Sequence, residues 1–131
     1  MGRRVSIHQG VIIKYPNEIE VGDYVTFNHY CYIVGKGGLK IGNHGMFGAG
    51  VKLVTSTHGF NSMDVSMREQ KITYKPISIG NDTWFGFNAV VLGGSDIHNG
   101  CIVGANALVN KEFEPFSIVG GVPAKLIKKR T

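Results

Sequence analysis

Residues 79–110 decide the fold: they read IGNDTWFGFNAVVLGGSDIHNGCIVGANALVN. Every sixth residue of this run is apolar, in the series Ile79, Phe85, Val91, Ile97, Val103 and Val109. Four places further along each hexad stands a residue that is small in five of six cases: Thr83, Ala89, Ser95, Cys101, Ala107 and Phe113. A period of six fits neither an α-helix nor an ordinary half-buried strand.

This period is typical of a solenoid in which each hexad forms one short strand followed by a tight turn. Three hexads, roughly 18 residues, then close one triangular coil, with the large apolar side chain inside and the small one at the bend. Successive coils pair as parallel strands roughly 4.8 Å apart, and their stacking buries the core. Glycine makes up 19 of the 131 residues, and we expect it to supply turn conformations that a Cβ atom would penalise. The expected fold class is all-β, a parallel β-helix.

The N-terminal half carries the same period with two shifts of frame. Its apolar residues recur in three series: Ile7, Ile13 and Ile19; Val21, Phe27 and Ile33; Ile41, Phe47 and Leu53. The regular pattern stops at Leu53 and resumes at Ile79. We therefore expect a single domain over residues 1–131, with coils at about 5–53 and 79–112, one long interrupting loop at 54–78 and a C-terminal tail at 113–131.

The formal net charge of +5 keeps a nucleic-acid partner in consideration. Much of that charge is carried by four residues near the end of the chain: Lys125, Lys128, Lys129 and Arg130. Such a cluster suits a phosphorylated small ligand, or it is simply a solubilising tail. The aromatic residues fall mainly at core positions or in the interrupting loop, so no stacking platform for bases is evident. We expect no nucleic-acid partner.

Cysteine usage and the start of the chain carry little functional signal. Cys31 and Cys101 both occupy the small position of a hexad, which favours buried core residues over a catalytic cysteine. No stretch is apolar enough to span a bilayer, so no membrane partner is expected. Residues 1–6 fit a myristoylation pattern and contain two arginines, but no apolar region follows them. We expect a cytoplasmic protein, and the sequence does not decide whether Met1 is the native start.

The interruption at 54–78 is the first place to look for a functional site. Long loops in compact domains are usually functional or disordered, and loops that leave a rigid scaffold often carry binding residues. This loop contains His58, Met63, Met67 and several aromatic residues, so we expect it to pack against another surface. We interpret it as an active-site loop.

Three stretches carry a resemblance to a known family: Thr57-His58-Gly59-Phe60, the run from Lys75 to Gly86, and the run from Ile118 to Lys125. Over about residues 20–130 the chain resembles the hexapeptide-repeat acyltransferases, close to the maltose and galactoside acetyltransferases and the polysaccharide O-acetyltransferases. The resemblance implies a left-handed parallel β-helix and transfer of an acyl group from coenzyme A to a small acceptor. It also implies acetyl-CoA as the donor, no metal, and a homotrimer with sites between subunits.

The family's catalytic histidine falls on His58. Acyl transfer from a thioester needs a base that takes the proton from an attacking hydroxyl or amine, and an imidazole suits that role. The oxyanion that forms needs a hydrogen-bond donor, for which the resemblance offers the backbone N–H of Phe87. The family's acceptor-binding asparagine falls on Asn28. The alternative there is a turn asparagine that bonds only to nearby backbone.

The resemblance also implies a coenzyme A groove along the outer edge of the C-terminal coils. The matching positions are Trp84, Phe87, Gly104, Ala105, Lys111, Val122, Pro123, Lys125 and Lys128. Lysine binds phosphate as a point charge, although a packed tryptophan and solvated lysines would be the purely structural interpretation. Asn110 stands where many family members have a threonine before the lysine.

Two departures from the family concern the acceptor. Lys36 stands where the sugar acetyltransferases have an acidic residue near the acceptor, and their helical N-terminal segment has no match here. Both differences argue against a simple galactoside or maltose as the acceptor. The run His58-Gly59-Phe60 and the compact C-terminus resemble those of enzymes that modify a polysaccharide or its precursor. The sequence does not decide between O- and N-acylation, or between an acetyl and a longer acyl group.

Two other functions remain open on this fold. The γ-class carbonic anhydrases share it and bind zinc, which needs three converging ligands and an open position. Here His29 and His44 stand at different hexad offsets, and neither forms an obvious triad with His58. A non-enzymatic β-helix scaffold is the other alternative, and it would show no thioester turnover.

Overall fold

A computed structural model describes the whole chain, residues 1–131. In chain order the strands are β1 (Ser6–Ile7), β2 (Ile12–Lys14), β3 (Ile19–Val21), β4 (Thr26–Phe27), β5 (Tyr32–Val34), β6 (Leu39–Ile41), β7 (Met46–Phe47), β8 (Lys52–Val54), β9 (Ser56–His58), β10 (Ile72–Tyr74), β11 (Ile77–Ile79), β12 (Trp84–Phe85), β13 (Val90–Leu92), β14 (Asp96–Ile97), β15 (Ile102–Val103), β16 (Leu108–Val109), β17 (Glu112–Phe113), β18 (Ser117–Gly121) and β19 (Ala124–Lys129). The helical segments are two short 3-10 turns, Pro16–Glu18 and Met67–Glu69. No helix has the length and apolar character needed to cross a membrane.

Three parallel sheets form the walls of a triangular prism. Wall A contains β1, β4, β7, β12, β15 and β18, with β19 added antiparallel at its end. Wall B contains β2, β5, β8, β13 and β16, and wall C contains β3, β6, β11, β14 and β17. The chain passes from A to B to C in each coil and makes a β-helix of about six turns. The predicted fold class, an all-β left-handed parallel β-helix, is confirmed.

Burial follows the hexad pattern. All apolar residues of the series from Ile79 to Val109 are exposed by 2% or less, and the small residues at the bends are buried as well. In wall A, strand pairing stacks Phe27, Phe47 and Phe85 above one another. Their ring centroids are 5.1 and 4.7 Å apart. The prism is therefore filled by like residues from successive coils, as a stacked repeat requires.

Every irregularity of the repeat lies at one edge of the prism, between walls B and C, which we call the insertion corner. Residues 15–18 and 35–38 connect the two walls in the first and second coils, and they account for the two shifts of frame. In the third coil the same connection is the long segment 55–76, whereas in the fourth it shrinks to 93–95. The shifts and the long loop are thus one feature, a junction that accommodates extra residues.

Seven glycines have positive φ angles and supply turn conformations as expected, whereas the glycines that follow the apolar residue of a hexad have a different role. Neither Gly86 nor Gly104 has a positive φ angle. A Cβ atom on Gly86 would lie 2.6 Å from the backbone nitrogen of Ala105, so glycine is needed there for the close approach of successive coils. Left-handed turn positions are held largely by other residues, among them Asn88 and Asn106 at φ angles of 60° and 61°. Asparagine tolerates this region better than most residues.

A ladder of side-chain oxygens fastens the corner between walls C and A. The backbone N–H of Asp23 donates to Asn43, that of Asn43 to Asn81, and that of Asn81 to Asn99, at 2.8, 2.7 and 2.7 Å. Each bond satisfies a backbone donor at a turn, where the strand ladder is interrupted. The ladder repeats once per coil and keeps this corner uniform along the prism.

Candidate active site

The interrupting loop forms an arm, residues 55–76, that leaves the prism at the insertion corner. Its base is the antiparallel pair of β9 and β10, and Lys75 closes it by donating its backbone N–H to Thr55 at 3.0 Å. In the next coil, the backbone N–H of Gly93 donates to the carbonyl oxygen of Val54, just before the arm, at 2.9 Å. The N–H of Gly94 donates to that of Pro76, the last residue of the arm, at 2.8 Å. A Cβ atom on Gly93 would lie 2.7 Å from the carbonyl oxygen of Thr55. The start of the arm is therefore fixed to the prism.

The tip of the arm is held by its own side chains. Gln70 Nε2 donates to the carbonyl oxygens of Ser62 and Val65 at 3.1 and 2.8 Å. The backbone N–H of Ser62 donates in return to Gln70 Oε1 at 3.2 Å. No residue from Ser56 to Pro76 is buried, and Met63 is 95% exposed. The base of the arm contacts the prism, but the chain supplies no surface that buries the tip.

His58 is the last residue of β9 and lies opposite Ile72 of β10. Side chains alternate along a strand, and register partners share a face of the sheet. His58, Ile72 and the neighbouring pair Ser56 and Tyr74 therefore project from one face of the arm. The imidazole is exposed, so a ligand can reach it. An accessible imidazole on a fixed strand can take a proton from a bound acceptor.

The same face of the arm borders a small cavity against wall B, which we call the tyrosine pocket. It has a volume of about 200 Å³ and is lined by Lys14, Tyr15, Tyr32, Val34, Ser56, Ile72 and Tyr74. Sequence reasoning missed this pocket, because its tyrosines are far apart in the chain and only the stacking of coils brings them together. The available signal was that Tyr15 and Lys36 both fall at shifts of the hexad frame.

The opposite face of the arm borders a larger cleft of about 520 Å³. Thr57 and Thr73 line it from the arm, and Leu92 and Asn110 line it from the prism. Asn110, which departs from the family pattern, thus lies beside the arm. Lys111 follows it between β16 and β17, and therefore lies at the insertion corner as well.

Four of the residues matched to the coenzyme A groove line one apolar cleft. Trp84, Phe87, Gly104 and Ala105 border a volume of about 290 Å³ on wall A and at the corner between walls A and B. Trp84 is 51% exposed and Phe87 is 62% exposed, so both rings are accessible. The backbone N–H of Phe87 has no backbone acceptor in this chain. A groove lined mainly by apolar groups suits an elongated ligand that is largely apolar and carries a few polar groups.

Most of the remaining groove residues lie on the C-terminal hairpin. β18 and β19 pair with each other, and their turn carries Val122 and Pro123, joined by a cis peptide bond. Lys125 and Lys128 belong to β19, so these cations are carried by an ordered strand at the end of wall A. Both side chains are exposed.

Asn28 lies in the turn after β4, at the corner between walls A and B. Its Oδ1 accepts from the backbone N–H and the ring Nδ1 of His29 at 2.8 and 2.7 Å. These local bonds are those of a turn asparagine, the structural alternative. They involve only the oxygen of the side-chain amide.

The candidate residues thus form two groups on opposite edges of wall B. The insertion corner carries His58 and Lys111, whereas the corner between walls A and B carries Asn28, Phe87 and the cleft beside Trp84. The structure brings four of the nine groove residues together in one cleft. Within one chain it does not bring His58 together with Asn28 or with the groove.

The other histidines form no three-histidine site within one chain. His29 lies between walls A and B, His44 lies between walls C and A, and His58 lies on the arm. On wall C, His98 meets Glu112 at 2.8 Å and Asp96 at 3.5 Å. The hydrogen bond that His98 Nε2 donates to the Glu112 carboxylate raises the pKa of His98 above its ordinary value. This exposed cluster contains a single histidine.

Both cysteines are buried at bends of the prism, as predicted. Cys31 Sγ donates to the carbonyl oxygen of Gly48 and Cys101 Sγ to that of Glu114, each at 3.2 Å. Burial raises the pKa of both thiols. Neither is a ready nucleophile near neutral pH, because the thiolate is the reactive form.

Part of this chain matches a known family of repeat sequences, and nearly all of it matches a known relative. Residues 76–111 match the family described as bacterial transferase hexapeptide (six repeats). A probable acetyltransferase of Mycobacterium tuberculosis is 30% identical over 129 residues, which make up 98% of this chain and 36% of that relative. This chain therefore spans little more than a third of the length of that relative.

Two solved structures share the fold over nearly the whole chain. A hexapeptide-repeat acetyltransferase of Vibrio cholerae, in complex with acetyl coenzyme A, superposes with a TM-score of 0.88 at 27% identity and covers 98% of this chain and 69% of that one. A galactoside acetyltransferase in complex with coenzyme A superposes with a TM-score of 0.81 at 26% identity, covering 95% and 64%. The resemblance stated from the sequence is confirmed: this is a hexapeptide-repeat protein similar to acetyltransferases.

Proposed function

We propose that this protein transfers an acetyl group from acetyl-CoA to a hydroxyl or amine of a sugar-like acceptor, such as a polysaccharide precursor, in the cytoplasm. The observation that carries the proposal is the apolar cleft, where four residues selected from the sequence, Trp84, Phe87, Gly104 and Ala105, come together. His58, on its fixed arm, is the proposed general base. The acetyl coenzyme A and coenzyme A complexes of the two similar structures support the same donor here.

In the proposed reaction the acceptor attacks the thioester carbonyl carbon directly. His58 takes the proton from the attacking oxygen or nitrogen as the new C–O or C–N bond forms. The tetrahedral intermediate then collapses, the C–S bond breaks, and the proton passes from His58 to the leaving thiolate. No covalent enzyme intermediate is required, which agrees with the burial of both thiols.

The negative charge that develops on the carbonyl oxygen needs a donor that is in place beforehand. We assign this role to the backbone N–H of Phe87, which has no backbone acceptor in this chain and borders the apolar cleft. The cleft would hold the pantetheine arm of the donor. Lys125 and Lys128 would meet its phosphates as point charges. Lys111 lies at the insertion corner, so it would take part from a neighbouring copy of the chain.

The separation of the two residue groups across wall B supports a site shared between copies of this chain. We propose a homotrimer in which the arm of one copy reaches the corner between walls A and B of its neighbour. The uncovered tip, where Met63 is 95% exposed, offers apolar surface for such a contact. In that arrangement His58 of one copy would meet Asn28 and the groove of another.

Thiol release tests the proposed activity. The protein is incubated with acetyl-CoA and a panel of sugars and amino sugars, and free thiol is followed over time. Acceptor-dependent release is expected, and the best acceptor identifies the class of substrate and the atom acetylated. No release with any acceptor, together with no binding of acetyl-CoA by calorimetry, would favour the non-enzymatic scaffold.

Co-expression tests the shared site. His58→Ala removes the base from one group, and Trp84→Ala removes a groove residue from the other, so each variant alone should be nearly inactive. In randomly mixed trimers roughly a quarter of the interfaces would combine both intact groups. Recovery of roughly that share of wild-type activity is expected. No recovery, or a monomer in sedimentation at micromolar concentration, would contradict the shared site.

A further inference from the structure

We infer that the tyrosine pocket binds an acceptor sugar unit that carries a negative charge, either a carboxylate or a phosphate. The inference rests on the proposed function, because it names the acceptor class for the site beside His58. The family resemblance places position 36 near the acceptor, but it assigns no ligand to the tyrosines of this pocket and no charge to the acceptor.

The pocket lies between strand residues of wall B and extra residues of the insertion corner. Tyr15 lines it from the connection in the first coil and Tyr74 from the arm in the third, and Lys36, which comes from the connection in the second coil, lies against both of these rings. The shorter connection of the fourth coil, residues 93–95, has no aromatic or cationic residue. The prism closes without such residues there, so the fold itself does not require them.

Two lysines lie against the aromatic rings of this region. Lys36 Nζ lies 5.3 Å from the ring centroid of Tyr15 and 4.9 Å from that of Tyr74. Lys14 Nζ lies 5.8 Å from the ring centroid of Tyr32. Distances below about 6 Å are those of cation–π contacts. The rings therefore hold two ammonium groups beside the pocket.

The positive charge of these lysines is not neutralised within the chain. The ion pairs of the structure involve other residues, so neither Lys14 nor Lys36 has a carboxylate within ion-pair distance. The acidic residue of the same corner, Glu18, accepts a hydrogen bond from the backbone N–H of Gly37 at 3.3 Å. A ligand in the pocket thus has Lys14 in the pocket wall and Lys36 against two of the lining rings, and neither ammonium group is paired with a carboxylate.

The backbone around Tyr74 is arranged to bring it close to the second coil. Gly37 has a φ angle of 92°, and a Cβ atom there would lie 2.8 Å from the Cβ atom of Tyr74. Any other residue at position 37 would push the arm away from Lys36. Glycine at this position therefore keeps the ring and the ammonium group in contact.

The chemistry of the pocket matches a charged sugar. Tyrosine rings present an apolar face with a hydroxyl that can donate or accept, and ammonium groups bind carboxylate and phosphate oxygens by charge-assisted hydrogen bonds. A neutral sugar would leave both lysines without a partner. Since His58 shares its face of the arm with Ile72 and Tyr74, a sugar held in the pocket would have its other hydroxyl groups on the side of the base.

Equilibrium binding of three matched probes tests the inference directly. Glucuronate, glucose 6-phosphate and glucose share one ring and differ in charge, and their binding is followed by NMR of the tyrosine rings. We expect the charged sugars to bind about tenfold more tightly than glucose, or about 1.4 kcal/mol, with shifts at Tyr15 and Tyr74. The charged sugar that binds more tightly shows whether the pocket prefers a carboxylate or a phosphate.

Lys36→Met keeps the aliphatic stem and removes the charge, so it should abolish most of the preference for the charged sugars. Lys40→Met is the matched control, because Lys40 lies on the outer face of wall C, and it should retain the preference. Equal binding of glucose and the charged probes, a preference that survives Lys36→Met, or shifts confined to Tyr24 would overturn the inference. Charged-sugar binding without thiol release would instead contradict the proposed transfer and leave the pocket assignment standing.

Discussion

The prism and the arm are held together in different ways. In the prism, the apolar residues of the series from Ile79 to Val109 are exposed by 2% or less, and the inner strands pair with neighbours on both sides. In the arm, no residue from Ser56 to Pro76 is buried, and the tip depends on the hydrogen bonds of Gln70. The regular repeat thus specifies the prism, whereas the segments that interrupt the repeat, above all the arm, carry the candidate site.

The largest effect on stability should come from breaking the prism at its most regular point. Phe47 lies between Phe27 and Phe85 and is 1% exposed, so Phe47→Ala should lower the free energy of unfolding by about 3–5 kcal/mol. Phe47→Leu, which keeps most of the volume, should cost less than about 1.5 kcal/mol. Urea denaturation measures both. Equal losses in the two variants would mean that ring stacking does not fill the core in the way described.

A smaller loss is expected where successive coils approach most closely. A Cβ atom on Gly86 would lie 2.6 Å from the backbone nitrogen of Ala105. Because a backbone atom cannot move away as a flexible side chain can, Gly86→Ala should lower the free energy of unfolding by about 1–3 kcal/mol. At Gly104 the nearest atom would be 3.4 Å away, which is ordinary contact. Thermal unfolding of Gly86→Ala and Gly104→Ala should therefore rank them in that order, and the reverse order would contradict the close-approach role.

The prism could be predicted because its rule is local. Each hexad places one apolar residue inside, so counting by six from Ile79 was enough to identify strands and core, and even the frame shifts marked real insertions. The same counting could not give the role of Gly86, because the atom that a Cβ would strike belongs to the next coil. The ladder of side-chain oxygens between walls C and A could not be predicted for the same reason, because Asn43 and Asn81 come close together only when successive coils stack.

The arm was harder to predict than the prism. The sequence located it between Leu53 and Ile79 and singled out His58 through a family resemblance. It could not give the face on which His58 projects, because that depends on the pairing of β9 with β10. It also could not give the contact of Lys36 with Tyr15 and Tyr74, which joins three successive coils.

The smallest effect is expected on wall C, away from both groups of candidate residues. The hydrogen bond between His98 and Glu112 raises the pKa of His98 above its usual 6.5. The stabilisation that this hydrogen bond provides is therefore complete below about pH 6.5. It is lost as the pH rises through the raised pKa of His98 in the folded protein. The side chains are 37% and 58% exposed, so the contribution should stay below about 1 kcal/mol.

Glu112→Gln tests this pair. The variant should be slightly less stable than wild type near pH 5.5 and equal to it near pH 9, and NMR titration should show a lower pKa for His98. A loss of stability confined to high pH would have the wrong sign and would contradict the pairing.

The central claim is that the arm carries the base, and it is tested most directly by thiol release from acetyl-CoA with the best acceptor. Wild type is compared with His58→Ala and with His44→Asn, which removes an imidazole at another corner and keeps a residue that tolerates the φ angle of 62° there. The account predicts a loss of about a hundredfold or more in His58→Ala. His44→Asn should keep near wild-type release, and thermal unfolding should be unchanged in His58→Ala because the side chain is exposed. Release that is unchanged in His58→Ala would leave the prism as described and contradict the assignment of the base.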